Sequence, residues 1–306
     1  MAKTHPTHRR TLAALLSLPL FLSACANSGS EPSEDDRPLV ATTFTILADM
    51  TERIGGDRVR VASITQVGAD IHQYEPTTGD LKRVAGADLL ISNGLGVDDW
   101  LTRFLQSGAE HAVAAEGVAP IPIVSGEYEG RPNPHAWISP REGKTYVRNI
   151  TAALSELDPD GAAEFRHRAA EYEAELDAVQ ERAARSVESL PPDHRALVTC
   201  EGAFSYLARD VGLDEHYLWA VNTEGQGTPQ QVTSLIDAVR DQQIPAVFCE
   251  STVSDTAMRQ VARATGAEMG GTLYVDSLSE PDGEVPSYIA LIEHDIDLIT
   301  KGLTGS

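Results

Sequence analysis

Two imidazoles and two carboxylates, His72, His135, Glu201 and Asp276, stand in short, unusual contexts at or just after strand-like runs. Together they make a complete ligand set for a divalent transition metal, with oxygen and imidazole donors. They are spread over some two-thirds of the chain, so the segments that unite them must meet in a cleft between lobes. A closed, saturated cage captures a metal, whereas a catalytic site leaves a position open for water. His72 lies in Gly68-Ala69-Asp70-Ile71-His72-Gln73-Tyr74-Glu75-Pro76 and His135 in Asn133-Pro134-His135-Ala136-Trp137, turn-rich loops that hold a ring on stiff backbone. Glu201 opens Glu201-Gly202-Ala203-Phe204-Ser205-Tyr206 after an apolar run, and Asp276 lies in Leu273-Tyr274-Val275-Asp276-Ser277-Leu278. His111, His167, His194, His216 and His294 read as ordinary hydrogen-bonded residues. Glu224, Glu250 and Asp255 read either as braces for strand-end loops or as surface acids.

The elements that must position these groups alternate between strand and helix, which predicts an α/β fold with mostly parallel sheets. Strands are expected at Leu39 to Phe44, Val59 to Ile64 and Ala87 to Ser92 in the first half. Ala196 to Cys200, Tyr217 to Ala220, Ala246 to Cys249 and Leu273 to Val275 are the candidates in the second. Helices are expected at Ile46 to Ile54, Thr78 to Val84 and Val97 to Leu105. Capping boxes at Ser139-Pro140-Arg141-Glu142 and Thr228-Pro229-Gln230-Gln231 each start another. Asp158-Pro159 opens a long helix to about Val187, in which Phe165, Ala169, Tyr172, Leu176, Val179 and Ala183 form one apolar stripe. Such a stripe suits a coiled-coil seam or a strut within the molecule; its alanines and α/β flanks favour the strut. The expected plan is therefore two lobes, 38–157 and 190–306, joined by one long rigid helix, 158–189. Ligands of such folds collect at the carboxyl ends of strands, where Glu201 and Asp276 fall.

The N-terminus addresses the chain outward. Lys3, Arg9 and Arg10 precede an apolar run, Leu12 to Leu22, too short to span a bilayer. Leu22-Ser23-Ala24-Cys25 then matches a lipobox, with Cys25 the lipidated first residue after removal of a signal peptide, 1–24. An ordinary signal peptide with an incidental cysteine is the plainer alternative, and Arg9-Arg10 also suits twin-arginine export. The Ser-, Glu-, Asp- and Pro-rich stretch that follows reads as a disordered tether, 25–37. Losing residues 1–24 removes three positive and no acidic side chains, which takes the formal net charge from −22 to −25. That acidity excludes nucleic acid as a partner and suits either cation capture or simple solubility. About 270 residues remain, enough for two domains of ordinary size. Cys200 and Cys249 both end strands of the second lobe. In an exported protein they form a disulfide if those strands are neighbours, or else stay buried thiols.

These segments, with Val221-Asn222-Thr223-Glu224-Gly225-Gln226-Gly227-Thr228-Pro229 and Glu250-Ser251-Thr252-Val253-Ser254-Asp255, resemble the solute-binding lipoproteins of bacterial metal-ion ABC importers. The resemblance runs from about residue 38 to the end and lies closest to the manganese-type subgroup. It implies a two-lobed fold in which four residues hold the metal, at positions matching His72, His135, Glu201 and Asp276. It implies a monomer anchored to the membrane by lipid, with an ABC permease as partner. Zinc receptors of that family typically carry His at the third position and a His-rich acidic loop; this chain has Glu201, and no His between Ser125 and His135. Two imidazoles and two potentially bidentate carboxylates suit Mn(II), then Fe(II), better than tetrahedral Zn(II), with a zinc receptor of the same transporter family as the alternative. Ile71 stands where Pro commonly precedes the first His, and Asn133 where Asp is common. A Cys200 thiolate beside Glu201 would favour softer metals. Acid should release the metal, with protons taken up by His72 and His135 first and by the carboxylates later.

Two readings of other classes compete. A mononuclear metallohydrolase needs an open coordination position and a general base, and the chain has no His-Glu-x-x-His run, Gly-x-Ser-x-Gly elbow or Gly-rich phosphate loop. A metal-stabilised adhesin needs an adhesive module, and none is visible.

Overall fold

In the computed structural model, which describes residues 36–103, 109–222 and 227–305, the first lobe grows from four short parallel strands. Leu39–Thr42 (β1), Arg60–Ser63 (β2), Leu89–Ser92 (β3) and Glu110–Val113 (β4) pair in the order β2-β1-β3-β4. The central β3 is wholly buried, as a parallel strand covered on both faces must be. β4 is additional to the expected elements: its polar start, Glu110-His111, belongs to an exposed edge strand. Helices Thr45–Gly55 (α1) and Thr78–Arg83 (α2) follow β1 and β2.

The expected helix from Val97 is replaced by a short 3-10 turn, Asp99–Arg103, and Leu105 lies outside the described residues. The cause is Asp98, whose carboxylate accepts from the Gly94 N–H at 3.1 Å and the Thr43 hydroxyl at 3.0 Å. That bends the segment back on β3 instead of letting it propagate.

Pro140–Leu157 (α3) packs on the first lobe, and Ala162–Glu188 (α4) runs from it to the second. Ser139 caps α3 through the Glu142 N–H, but the reciprocal half of the box is missing because Glu142 accepts from Arg209 at 2.7 Å instead. Asp158 caps the short turn before α4 and takes the Arg58 guanidinium at 2.6 Å. The 27 residues of α4 run about 40 Å. Its whole apolar stripe, Phe165 to Val187, is buried against α1 and α3 on one side and the second lobe on the other. The strut is the geometry found.

The second lobe repeats the plan with two parallel pairs, Ala196–Glu201 (β5) with Asp214–Trp219 (β6), and Ala246–Glu250 (β7) with Glu268–Leu273 (β8). The last strand ends where Leu273 to Val275 was expected to start one. Gly270 and Gly271 hide it from propensity: a Cβ on Gly270 would sit 2.2 Å from the Phe248 ring, and one on Gly271 2.6 Å from Leu298. Helices Ser205–Val211 (α5), Pro229–Asp241 (α6), Thr256–Thr265 (α7) and Tyr288–Leu303 (α8) complete the lobe. Of these only α6 was expected; it carries the full Thr228–Gln231 box. The main apolar cluster runs through both lobes, and residues from Arg37 onward form one compact unit. Among the described residues, no helix is long and apolar enough to cross a membrane.

Candidate metal centre

Each candidate ligand sits on a loop held by bonds to other segments. His72 follows β2, where Asp70 accepts from the His72 N–H at 2.8 Å and the Trp100 indole donates to the Ile71 carbonyl at 3.1 Å. Buried Asp80 closes the loop by accepting from Thr77 and Gln66 and from the Tyr74 hydroxyl. The bonds from Gln66 and Thr77, with one from Arg83, hold its carboxyl far below the usual range. His135 precedes a 3-10 turn, Ala136–Ile138. Glu201 is the last residue of β5, and Asp276 lies three residues past β8, where the Trp137 indole donates to the Val275 carbonyl at 2.9 Å.

The four side chains meet at one point. His72 Nε2 lies 3.0 Å from His135 Nε2, 3.2 Å from Glu201 Oε1 and 3.8 Å from Asp276 Oδ1; His135 Nε2 is 3.6 Å from Glu201 Oε1. One donor atom from each lies within 4.8 Å of all the others. His135, Glu201 and Asp276 are fully buried and the His72 side chain is 3% exposed. His135 Nδ1–H donates to Asn133 Oδ1 at 2.8 Å, which fixes the tautomer whose Nε2 lone pair faces the centre. Asn222 bridges the carboxylates, its backbone N–H donating to Glu201 Oε1 at 2.8 Å and its amide to Asp276 Oδ2 at 3.2 Å. Thr252 donates to the same Asp276 oxygen at 3.1 Å. The other two carboxylate oxygens, Glu201 Oε2 and Asp276 Oδ1, are buried without a hydrogen-bond partner. Leaving such an oxygen unpaired costs about 1–3 kcal/mol, which a cation or a proton relieves.

Burial sets the charges. It pushes the Asp276 carboxyl up to about 8. It raises Glu201 well above the carboxylate range, with Asp276 and Glu250 adding repulsion. The same burial drives His72 down to about 3 and His135 well below its ordinary value. In the metal-free site the rings are therefore neutral and the acids hold protons, the reverse of the titration order expected from the residue types.

A family model described as zinc-uptake complex component A, periplasmic, matches residues 40–302. The chain belongs to this family. Its relatives include the iron-binding protein YfeA of Yersinia pestis, 44% identical over 95% of both chains. The manganese ABC transporter substrate-binding lipoprotein PsaA of Streptococcus pneumoniae is 30% identical over 96% of this chain and 98% of its own. Among solved structures, a Mn-bound periplasmic metal-binding protein of Candidatus Liberibacter asiaticus superposes with a TM-score of 0.81. It is 35% identical and covers 87% of this chain and 100% of its own. The zinc-binding TroA of Treponema pallidum gives 0.80 at 26% identity, over 87% and 99%. The family's members are substrate-binding components of transporters rather than enzymes.

Against the family pattern, Asn133 does by its amide oxygen what a carboxylate would do there. Its own N–H groups reach the Gly202 carbonyl at 2.6 Å and Ser205 at 3.2 Å. Cys200 is bonded to Cys249 across β5 and β7, with Cα atoms 4.9 Å apart, so no thiolate stands beside Glu201 in this structure. Glu250 is buried and accepts from the Glu201 N–H at 3.2 Å, while Asp255 pairs with Arg259. Glu224 and Cys25 lie outside the described residues. Among the described residues, no other histidine joins the centre: His111 bonds Ser92, His194 the Leu303 carbonyl, His216 Gln242, His294 the Thr272 carbonyl, and exposed His167 faces Glu171. Asp80, Asn222 and Thr252 were not singled out in the sequence. Of these only Asp80 left a signal, the capping box Thr77-x-x-Asp80 at the start of α2.

Proposed function

We propose that this family member is an extracytoplasmic receptor that captures Mn(II) through His72, His135, Glu201 and Asp276 and hands it to an ABC permease in the membrane. The observation that carries the metal choice is the pair of buried, unpartnered oxygens, Glu201 Oε2 and Asp276 Oδ1. With them both carboxylates can bind in bidentate fashion, and two imidazole nitrogens complete up to six donors. That number suits Mn(II) better than four-coordinate Zn(II). Fe(II) takes the same donor set and is the second cargo, supported by the 44% identity to an iron-binding relative. The lipoprotein names of the streptococcal relatives support lipidation of Cys25, and a monomer suffices because all four ligands come from one chain.

Calorimetric titration of the chelator-stripped protein with Mn(II), Fe(II) and Zn(II) under anaerobic conditions tests this, beside Glu201→Ala. One-to-one Mn(II) binding lost in the variant is expected. Binding of Zn(II) alone would transfer the assignment to zinc, and no binding of any ion would overturn the receptor itself.

A further inference from the structure

A chain of hydrogen bonds leads from the back of His135 to a carboxylate that is no ligand. His135 Nδ1–H donates to Asn133 Oδ1 at 2.8 Å, Asn133 Nδ2–H donates to Ser205 Oγ at 3.2 Å, and the Ser205 hydroxyl donates to Glu215 Oε2. The Phe204 N–H donates to the other oxygen, Oε1, at 2.9 Å. Asn133 belongs to the first-lobe loop that carries His135. Phe204 and Ser205 begin α5, three and four residues past Glu201, and Glu215 is on β6 of the second lobe. The chain therefore clamps the two lobes together behind the metal. Each link has one polarity: with Ser205 giving its proton to the carboxylate, its lone pair takes Asn133 Nδ2–H, and the Asn133 oxygen is left facing the ring.

We infer that Glu215 is a positioning residue for metal capture, which in its ionised form holds the Ser205–Asn133 relay in the direction that keeps the His135 Nε2 lone pair on the metal, and lets go when protonated. A protonated Glu215 has a hydrogen of its own to donate to Ser205. The Ser205–Glu215 link can then run in either direction and has lost the charged acceptor that made it about twice as strong as a neutral bond, so it no longer fixes the direction of the relay or holds Ser205 firmly to Asn133. Asn133 keeps its bond to the Gly202 carbonyl, so the effect is a weakened hold on the ring and not its collapse.

The setting of Glu215 suits such a role. Burial of its carboxylate pushes it up to about 7, with Asp214 adding to the rise and the bonds from Ser205 and Phe204 opposing it. Glu215 lines a cleft of about 710 Å³, which gives protons a route. The charged and titratable groups around it are Asp214, His216 and Tyr217 on β6, Arg209 on α5, and Glu127 across the cleft. Arg209 is engaged by Glu142 and Asp210 and does not neutralise Glu215; His216 is engaged by Gln242.

The inference rests on the metal-site reading, and one experiment separates the two. Mn(II) affinity is measured by chelator competition from pH 5.5 to 8.5 on the parent, Glu215→Gln, Ser205→Ala and the double variant. The ratio of variant to parent Kd for Glu215→Gln is expected to rise from near one at pH 5.5 to about 10-fold at pH 8, the usual scale for partners that orient a metal-binding His. Ser205→Ala should show the same rise, and the double variant should be no worse than the weaker single. A ratio that stays constant across the pH range, at one or at any other value, would overturn the inference, because a merely structural carboxylate shifts both arms alike. Additive losses in the double variant would also overturn it. If Glu215→Gln fails to fold, the Ser205→Ala ratio alone decides by the same criterion. Failure of the parent to bind any metal refutes the receptor reading instead.

Discussion

Metal capture should expel protons from carboxylates, and in a number the structure sets. With burial holding Asp276 at about 8, about 90% of that carboxyl is protonated at pH 7. Glu201, raised well above its ordinary value by burial and by its acidic neighbours, is pushed towards the protonated form as well, and the two titrate as a pair. His72, at about 3, and His135, lower than its ordinary value, are already neutral and release none. Binding one divalent ion at pH 7 therefore releases about one to two protons. Because the slope of log K against pH equals the number released, affinity should rise about 10- to 100-fold per pH unit from pH 6 to 7.5. It should flatten above about 8. Calorimetry in buffers of different ionisation enthalpy counts the protons directly. Tight binding at pH 7 with release near zero would refute the argument, as would an affinity that climbs only around pH 6.5 and is flat above 7. Either result would return the proton competition to the imidazoles. The same shifts act on the metal-free fold. The raised Asp276 carboxyl makes it lose stability as pH rises from about 4 towards 8, whereas His72 makes it lose stability as pH falls from about 6.5 towards 3. The Mn(II)-induced rise in Tm should accordingly be larger at pH 8 than at pH 6, measured by scanning calorimetry at fixed free metal.

Three further outcomes are expected. Asn222→Ala removes the amide bond to Asp276 and the bond from the Trp219 indole while sparing the backbone link to Glu201; Mn(II) Kd should rise about 10-fold, and an unchanged value would show that Thr252 alone positions Asp276. The 49-residue separation closed by Cys200 and Cys249 predicts a loss of up to about 4 kcal/mol in unfolding free energy on reduction, read by urea denaturation with and without dithiol. Two thiols titrating in a denatured, unreduced chain begun at Arg37 would remove the disulfide altogether. Leu176→Ala empties a fully buried position on α4 and should cost about 2–5 kcal/mol; a loss of Mn(II) affinity beyond twofold in the folded variant would contradict a purely structural strut.

That His72, His135, Glu201 and Asp276 come together was legible in the sequence because these four candidate ligands are punctuated. Pro134 and Pro76 mark the loops around the rings, and an apolar run, Ala196 to Cys200, delivers Glu201 to a strand end. The strut was legible for a similar reason, since about six turns of one apolar stripe, Phe165 to Val187, leave a long periodic signal. What failed to show was whatever depends on a partner far along the chain. Asn222 and Thr252 are single polar residues in loops, without period or cap, and acquire a role only because Asp276 folds against them. β8 carries two glycines that packing against Phe248 and Leu298 demands and that strand propensity disfavours.

The largest reversal concerns charge, and its cause is the same. By residue type, a site with two His and two acids loses its metal to imidazole protonation first, because free imidazole titrates near 6.5 and free carboxyls near 4. Burial penalises the charged form of each, so it moves the imidazoles down and the carboxyls up until they change places. Four groups brought together from residues 72 to 276 and closed off from water must titrate in the opposite order from the same groups in solution. The inversion has a use in a receptor: neutral rings need no deprotonation to coordinate, and acids that hold protons when empty spare the fold two unpaired buried charges. Acid then acts through Asp276 and Glu201, the residues whose oxygens distinguish a six-donor site from a tetrahedral one, so conditions that protonate them remove the donors on which the proposed preference for Mn(II) depends. Selectivity against Zn(II) should therefore erode on acidification faster than affinity for Zn(II) does, and competition between the two ions at pH 6 and pH 8 measures it.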